Sequence, residues 1–243
     1  MRVLGVIPAR FGSSRFPGKP LIDLKGKSMI QRVYEGAKKS KLISEVIVAT
    51  DDLRIIQEVE RFGGKAEMTS EIHPSGTDRC AEVLVRNSDY DLVINIQGDE
   101  PLVDAQQLDS LIEVFADSSV QIATLATENI SIEDIQDPNR IKVVINNFNN
   151  AIYFSRSAIP NSVNFSGNAF DVYPFLRHIG LYAYRSNILN QITKLEPTQL
   201  EKMESLEQLR WLYHEFKIRV VKTDIETPNI DVPADVEKVL ACL

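Results

Sequence analysis

Short apolar runs separated by amphipathic stretches mark the first half of the chain. Val3–Ile7, Glu45–Thr50 and Leu92–Ile96 are apolar and rich in β-branched residues, as buried strands are. Between them, Ser28–Lys39 carries Met29, Ile30, Val33 and Ala37 at helical spacing, with Ser28 in the N-cap position. Asp51–Phe62 opens on an Asp and ends at Gly63-Gly64, which predicts a second helix. A short strand at Lys65–Met68 and helices at Thr77–Arg86 and Asp104–Ala116 follow, the last with Leu108, Leu111, Ile112 and Phe115 on one face. This alternation predicts an α/β fold with a mostly parallel central sheet flanked by helices. Ligands of such sheets bind beyond the carboxyl ends of the strands, where the charged and glycine-rich loops fall.

The second half is less regular. Ile122–Thr127, Ile141–Ile145, Ala151–Phe154, Ile179–Tyr184 and Ile218–Lys222 read as strands, the first four of mixed direction. Leu200–Phe216 reads as one long apolar helix containing Trp211, and Pro233–Leu243 as a closing helix with Pro at its first turn. Residues 161–173, rich in Asn, Ser and Gly, read as a loop. No repeat, low-complexity tract or linker is evident. The expected organisation is one domain, with about 1–120 and the C-terminal segment binding nucleotide and a smaller mixed α+β subdomain from about 120 to 215.

Composition narrows the class. The chain has 243 residues, 44% apolar and 25% charged, with a formal net charge of −7. The acidic balance argues against nucleic-acid binding. No apolar run is long enough to span a bilayer, and no signal peptide is expected. Two distant cysteines without metal-ligand spacing fit a reduced compartment. A cytoplasmic enzyme is the expectation.

Against this acidic background, Pro8–Pro20 places Arg10, Arg15 and Lys19 among Gly12, Ser13, Ser14 and Gly18, directly after the first strand. Such a loop turns sharply and surrounds a ligand with N–H groups and positive charge, which suits a polyphosphate. It is neither a P-loop nor a dinucleotide fingerprint. Gln97-Gly98-Asp99-Glu100-Pro101 puts a carboxylate after a buried strand, where it can hold magnesium. Asp231, before the last helix, could complete such a site or merely cap the helix. Ser75-Gly76-Thr77-Asp78-Arg79 opens a helix and could read a base or an anion, or be an ordinary cap. Arg156, His178, Tyr182, Glu207 and Gln208 are polar residues set among apolar ones, and each has a structural as well as a functional reading.

Together and in this order, these motifs resemble the 3-deoxy-manno-octulosonate (KDO) cytidylyltransferases. The resemblance runs through Ile-Pro-Ala-Arg-Phe-Gly-Ser-Ser-Arg-Phe-Pro-Gly-Lys-Pro at 7–20, Ser-Gly-Thr-Asp-Arg at 75–79 and Asn-Ile-Gln-Gly-Asp-Glu-Pro at 95–101. It continues in Tyr-Phe-Ser-Arg at 153–156, Arg-His-Ile-Gly-Leu-Tyr-Ala-Tyr-Arg at 177–185 and Leu-Glu-Gln-Leu-Arg at 206–210, the last two the most particular to that family.

The resemblance implies a nucleotide-diphospho-sugar-transferase type of fold and a homodimer formed through the second subdomain. It implies the reaction of CTP with KDO to give CMP-KDO and pyrophosphate, with magnesium, for lipopolysaccharide or capsule synthesis. By motif, Arg10, Ser13, Arg15 and Lys19 would hold the triphosphate, with Arg15 and Lys19 also stabilising the departing pyrophosphate. Ser75, Gly76 and Arg79 would line the cytidine pocket. Asp99 and Asp231 would bind the metal. Gln97, Arg156, His178, Tyr182, Glu207 and Gln208 would hold the sugar acid. The helix with Trp211 is the expected dimer contact. Three departures stand out: His73-Pro74 precedes Ser-Gly-Thr, the C-terminal motif reads Ile-Asp-Val-Pro where the family usually has Val-Asp-Thr-Pro, and residues 161–173 match least. The same chemistry on 8-amino-KDO or a sialic acid, and a nucleotide-binding protein without turnover, are the alternatives.

Overall fold

The computed structural model describes residues 1–12 and 16–243. Along the chain run β1 (Val3–Ala9), β2 (Asp23–Leu24), β3 (Lys27–Ser28), α1 (Met29–Ala37), β4 (Glu45–Thr50), α2 (Leu53–Arg61), β5 (Ala66–Met68), α3 (Gly76–Arg86), β6 (Leu92–Asn95) and α4 (Ala105–Glu113). Then come β7 (Ile122–Thr127), α5 (Ile132–Gln136), β8 (Lys142–Ile145), β9 (Ala151–Ser155), β10 (Arg177–Arg185), α6 (Ser186–Ile192), α7 (Gln199–Glu204), α8 (Gln208–Tyr213), β11 (Ile218–Lys222) and α9 (Asp235–Cys242). The chain divides into two compact units. The first comprises Met1–Ile112, Ala183–Thr193 and Thr227–Leu243; the second comprises Glu113–Tyr182 and Lys194–Glu226.

In the first unit the strands run in the order β5-β4-β1-β6, all parallel. The side chains of β1, β4 and β6 are buried on both faces, which is why these runs are continuously apolar rather than alternating. The helices start where the sequence says they should. Ser28, Asp52 and Ser75 cap α1, α2 and α3, each accepting a first-turn N–H through its side chain. The last segment of the chain returns here. Ile230 and Val239 are fully buried against Leu24 and Met29, with Phe16, Ile22, Leu102 and Val236 around them. This small core fixes the C-terminal segment against the chain that follows Pro20.

In the second unit β11 pairs in parallel with β7, while β8 is antiparallel to both β9 and β10. The mixed direction matches expectation. Two differences do not. The segment expected as one helix from Leu200 to Phe216 is two, because Ser205 takes a left-handed conformation (φ 52°) and ends α7. Thr198 caps α7 in a reciprocal arrangement with Glu201. Trp211, in the helix expected as the dimer contact, is itself only 1% exposed. It packs edge-on to Tyr182 and belongs to the core. Within residues 161–173 the one regular element is a 3-10 turn at Ala169–Asp171.

Candidate active site

Because β1, β4 and β6 are parallel, the chain leaves Ala9, Thr50 and Asn95 at one edge of the first sheet. Pro8 is the point where three segments close in. A Cβ on Gly98 would lie 2.6 Å from the Pro8 carbonyl oxygen, so only glycine fits there. A Cβ on Gly76 would lie 3.3 Å from Pro8 Cγ and 3.5 Å from Asn95 Nδ2. The Pro8 strand end, the start of α3 and the Gly98 turn are thus in contact.

Lys19 follows Gly18, whose left-handed backbone (φ 73°) lets its N–H reach the Phe11 carbonyl at 2.9 Å and tie the two arms of the loop. The Lys19 side chain is 12% exposed. Its ammonium donates to Asp99 Oδ2 at 2.9 Å and to the Ile230 carbonyl at 2.8 Å, and lies 3.9 Å from Asp231 Oδ1. The Ile230 N–H in turn donates to the Asp99 carbonyl at 2.9 Å. Two carboxylates 132 positions apart in sequence, at 99 and 231, therefore meet at one cation. Arg10 is exposed and donates to the His73 carbonyl, which holds it beside the turn that starts α3. Ser75 Oγ caps α3 and donates to Asp78 Oδ2 at 2.6 Å. Gln97 sits half-buried between β6 and Asp99. Ser13 and Arg15 lie outside the described residues.

The second unit gathers the other group. Thr124, fully buried on β7, donates its hydroxyl proton to the Leu181 carbonyl at 2.8 Å. Its oxygen must then accept from His178 Nε2, 2.9 Å away, which assigns the Nε2–H tautomer. His178 is stacked at right angles to Phe154 and lies 5.4 Å from the Tyr182 ring. Loss of water and, secondarily, the Arg177 charge push its pKa down to about 3. It is therefore neutral at ordinary pH, a hydrogen-bonding group rather than a base. Burial raises the Tyr182 phenol far above its usual range. Arg156 follows β9, half-buried, and donates through Nε to the Glu204 carbonyl and through Nη1 to the Pro138 carbonyl. Glu207 and Gln208 lie at the start of α8, Gln208 buried and Glu207 half-buried.

Comparison with known proteins gives a single answer. A sequence profile of the Cytidylyltransferase family matches residues 4–218. The 3-deoxy-manno-octulosonate cytidylyltransferase of Parabacteroides distasonis is 49% identical, over 100% of this chain and 98% of its own length. That of Geotalea uraniireducens is 48% identical, over 99% and 98%. A solved structure of CMP:2-keto-3-deoxy-manno-octonic acid synthetase complexed with CTP superposes with a TM-score of 0.93 at 43% identity, covering 100% of this chain and 98% of the other. The chain belongs to the 3-deoxy-manno-octulosonate cytidylyltransferase family.

Within that family frame, one expected ligand residue takes a different place. Arg79 is fully buried, with Nη2 at 2.9 Å from Asp51 Oδ2 and Nη1 bonded to Thr69 Oγ1. Those partners join α3 to the chain after β4 and after β5, so part of its guanidinium holds the start of α3 in place. Its position after Ser-Gly-Thr-Asp gave no sign of this, because Asp51 and Thr69 are remote in sequence. Three residues that the motifs did not single out contact the candidate residues. Asn95, 4% exposed, sits under the start of α3, and its Oδ1 has no hydrogen-bond partner among the described residues. An Asn closing a strand of Leu-Val-Ile was the available signal. Thr124 and Glu204 are the others, visible only once strands are paired.

The donor set at Asp99 and Asp231 fits a magnesium ion. Both carboxylates are part-exposed and already converge on a cation, the Lys19 ammonium. Among the described residues no group of three or more His, Cys, Asp or Glu side chains forms a metal cage. Magnesium characteristically takes one or two protein carboxylates and leaves its other positions to phosphate and water.

Proposed function

We propose that this chain transfers CMP from CTP to the anomeric hydroxyl of KDO and releases pyrophosphate. The carrying observation is the convergence of Asp99 and Asp231 on Lys19 at the carboxyl edge of the sheet. It is what in-line transfer at a triphosphate requires: fixed anions to hold a divalent ion and a fixed cation for the leaving group. In this reading Arg10, Ser13, Arg15 and Lys19 hold the triphosphate. Gly76 and the capped start of α3 form the cytidine wall, with Ser75 and Arg79 holding that turn in shape. Gln97, Arg156, His178, Tyr182, Glu207 and Gln208 hold the sugar acid. Arg156 keeps one N–H on each Nη beyond those given to carbonyls, a pair suited to a carboxylate. Neutral His178 can bond a sugar hydroxyl without adding charge.

Asp99 and Asp231 would hold magnesium, which when bound neutralises phosphate charge and acidifies an attacking hydroxyl. Lys19 neutralises charge on the departing pyrophosphate. Asp99→Asn should cost about 2–4 kcal/mol of transition-state stabilisation, read as a loss of kcat/KM. Turnover within about tenfold of wild type would refute the role. Lys19→Ala should lower kcat more than it raises the KM for CTP; an effect on that KM alone would make Lys19 a ground-state binder. The decisive assay is magnesium-dependent pyrophosphate release from CTP with KDO, 8-amino-KDO and a sialic acid side by side. Preference for either of the other acids would overturn the substrate assignment.

The active form we propose is a cytoplasmic homodimer joined through the second unit. Ile152 on β9 and Met203 on α7 are 60% and 83% exposed there. Both cysteines are free thiols, Cys80 buried and Cys242 exposed, as a reducing compartment would leave them. Light scattering on the purified protein tests the dimer, and a monomer at micromolar concentration would exclude it.

A further inference from the structure

Arg156 is held at almost every polar atom it has. Its backbone N–H donates to Glu204 Oε2 at 2.9 Å, and its carbonyl accepts from the Lys142 ammonium at 2.7 Å. Its Nε donates to the Glu204 carbonyl at 2.8 Å, its Nη1 to the Pro138 carbonyl at 2.9 Å and its Nη2 to the Ser205 carbonyl at 3.4 Å. Lys142 is fully buried and anchored also to the Asp137 carbonyl. Burial depresses its ammonium pKa. A lysine so placed is expensive unless its donors are used, and two of them are spent on this corner.

Glu204 is the centre of the arrangement. Besides the Arg156 N–H, its carboxylate accepts from Ser155 Oγ at 2.7 Å and Tyr153 OH at 3.2 Å. Burial works to raise its pKa, but the Arg156 N–H and the two hydroxyls outweigh it and hold the carboxyl below its usual value. Through its side chain Glu204 grips the end of β9. Through its backbone it is the last residue of α7, one step before the left-handed Ser205 and three before Glu207. One residue thus sets the spacing between Arg156 and the Glu207-Gln208 pair.

We propose that Glu204 is a positioning residue for the sugar-acid subsite, aiming Arg156 at the substrate carboxylate and fixing Glu207 and Gln208 beside it. This rests on the reading of Arg156 as the carboxylate ligand. Glu204 does not touch substrate; it acts through the residues it holds.

The test is steady-state kinetics on the full-length enzyme with CTP and KDO varied separately. Glu204→Ala should raise the KM for KDO by at least about tenfold, since a small misplacement of a binding group is enough for that, and leave the KM for CTP unchanged. Glu204→Gln should recover to within about threefold of wild type. Its amide oxygen can accept from the Arg156 N–H, and its amide nitrogen can donate to the two hydroxyls. In an Arg156→Ala background, adding Glu204→Ala should raise the KM for KDO by less than it does in the wild-type background, because only its effect through Glu207 and Gln208 remains. Should Glu204→Ala not fold, Tyr153→Phe with Ser155→Ala leaves the carboxylate in place with two of its donors removed, and a smaller rise is expected. An unchanged KM for KDO, an equal rise for CTP, or full additivity with Arg156→Ala overturns the proposal. If Arg156→Ala itself leaves the KM for KDO at the wild-type value, the reading of Arg156 fails, and the proposal with it. An impaired Arg156→Ala beside a normal Glu204→Ala sinks the positioning role alone.

Discussion

Gly98 and Thr124 show how much of the site depends on atoms that never meet a ligand. At Gly98 the Pro8 carbonyl oxygen occupies the space of a Cβ, at 2.6 Å. Neither partner is a flexible side-chain tip, so one backbone must move. Gly98→Ala should shift Asp99 from Lys19 and lower kcat by about 100-fold with the fold retained. A variant with wild-type turnover would show that the turn has slack the contact does not suggest. At Thr124 one hydroxyl serves the Leu181 carbonyl and His178. Thr124→Val preserves shape and deletes that acceptor. The cost of leaving buried donors unmade is about 1–3 kcal/mol. A lowered urea midpoint together with a raised KM for KDO is the expected pair of results. A stability loss without the KM change would separate the hydroxyl from the sugar site.

At the scale of elements, the capped helices and apolar strands of the first unit were legible because their signals are local. Ser28, Asp52 and Ser75 each bond within their own helix start. The break between α7 and α8 was not legible, because residues 200–216 are unusually apolar and contain no Gly or Pro to mark a stop. What divides them is Ser205 at φ 52°, held there by the grip of Glu204 on β9, a contact between residues about 50 apart in sequence. A non-glycine residue in the left-handed region is strained by roughly 1–2 kcal/mol. Ser205→Gly should therefore stabilise the protein by up to about 1 kcal/mol, and Ser205→Val should destabilise it, since β-branching is worst tolerated there. Urea unfolding of the pair decides. Equal midpoints would mean that the break is not strained at all. The same limit of range explains why Arg79 read as a base-pocket residue: its partners Asp51 and Thr69 come from other elements.

For the molecule as a whole, titratable groups from both units push stability in the same direction with pH. His178 has a folded pKa of about 3 against 6.5 for the free side chain. The unfolded chain therefore takes up a proton that the folded one refuses, and stability falls as pH drops from about 6.5 toward 3, by an amount on the order of a few kcal/mol. The carboxyls of Glu82 and Glu204, both held below 4.5, lose their contribution further down, as pH passes below that value toward their folded pKa. Lys142 has the same sign at the other end. Its ammonium is depressed from 10.5 by burial, so the folded state gives up its proton first, and stability rises as pH climbs from its folded pKa toward 10.5. Stability should thus increase with pH on both sides of neutrality, until tyrosine and lysine titration elsewhere intervenes. The acidic net charge of −7 works against the compact state at high pH and limits that upper arm. The part that can be isolated is the step between pH 6.5 and 5, where His178 is the group whose shift falls in that window and the carboxylates remain ionised. Replacing it by Gln, whose Nε2 keeps a donor toward Thr124 but does not titrate, should flatten the fall in urea midpoint over that interval while leaving the fall below pH 4.5 intact. Parallel curves for the two proteins from pH 6.5 to 5 would mean that the imidazole accepts its proton in the folded state, and that the buried Thr124–His178–Tyr182 cluster is open to water.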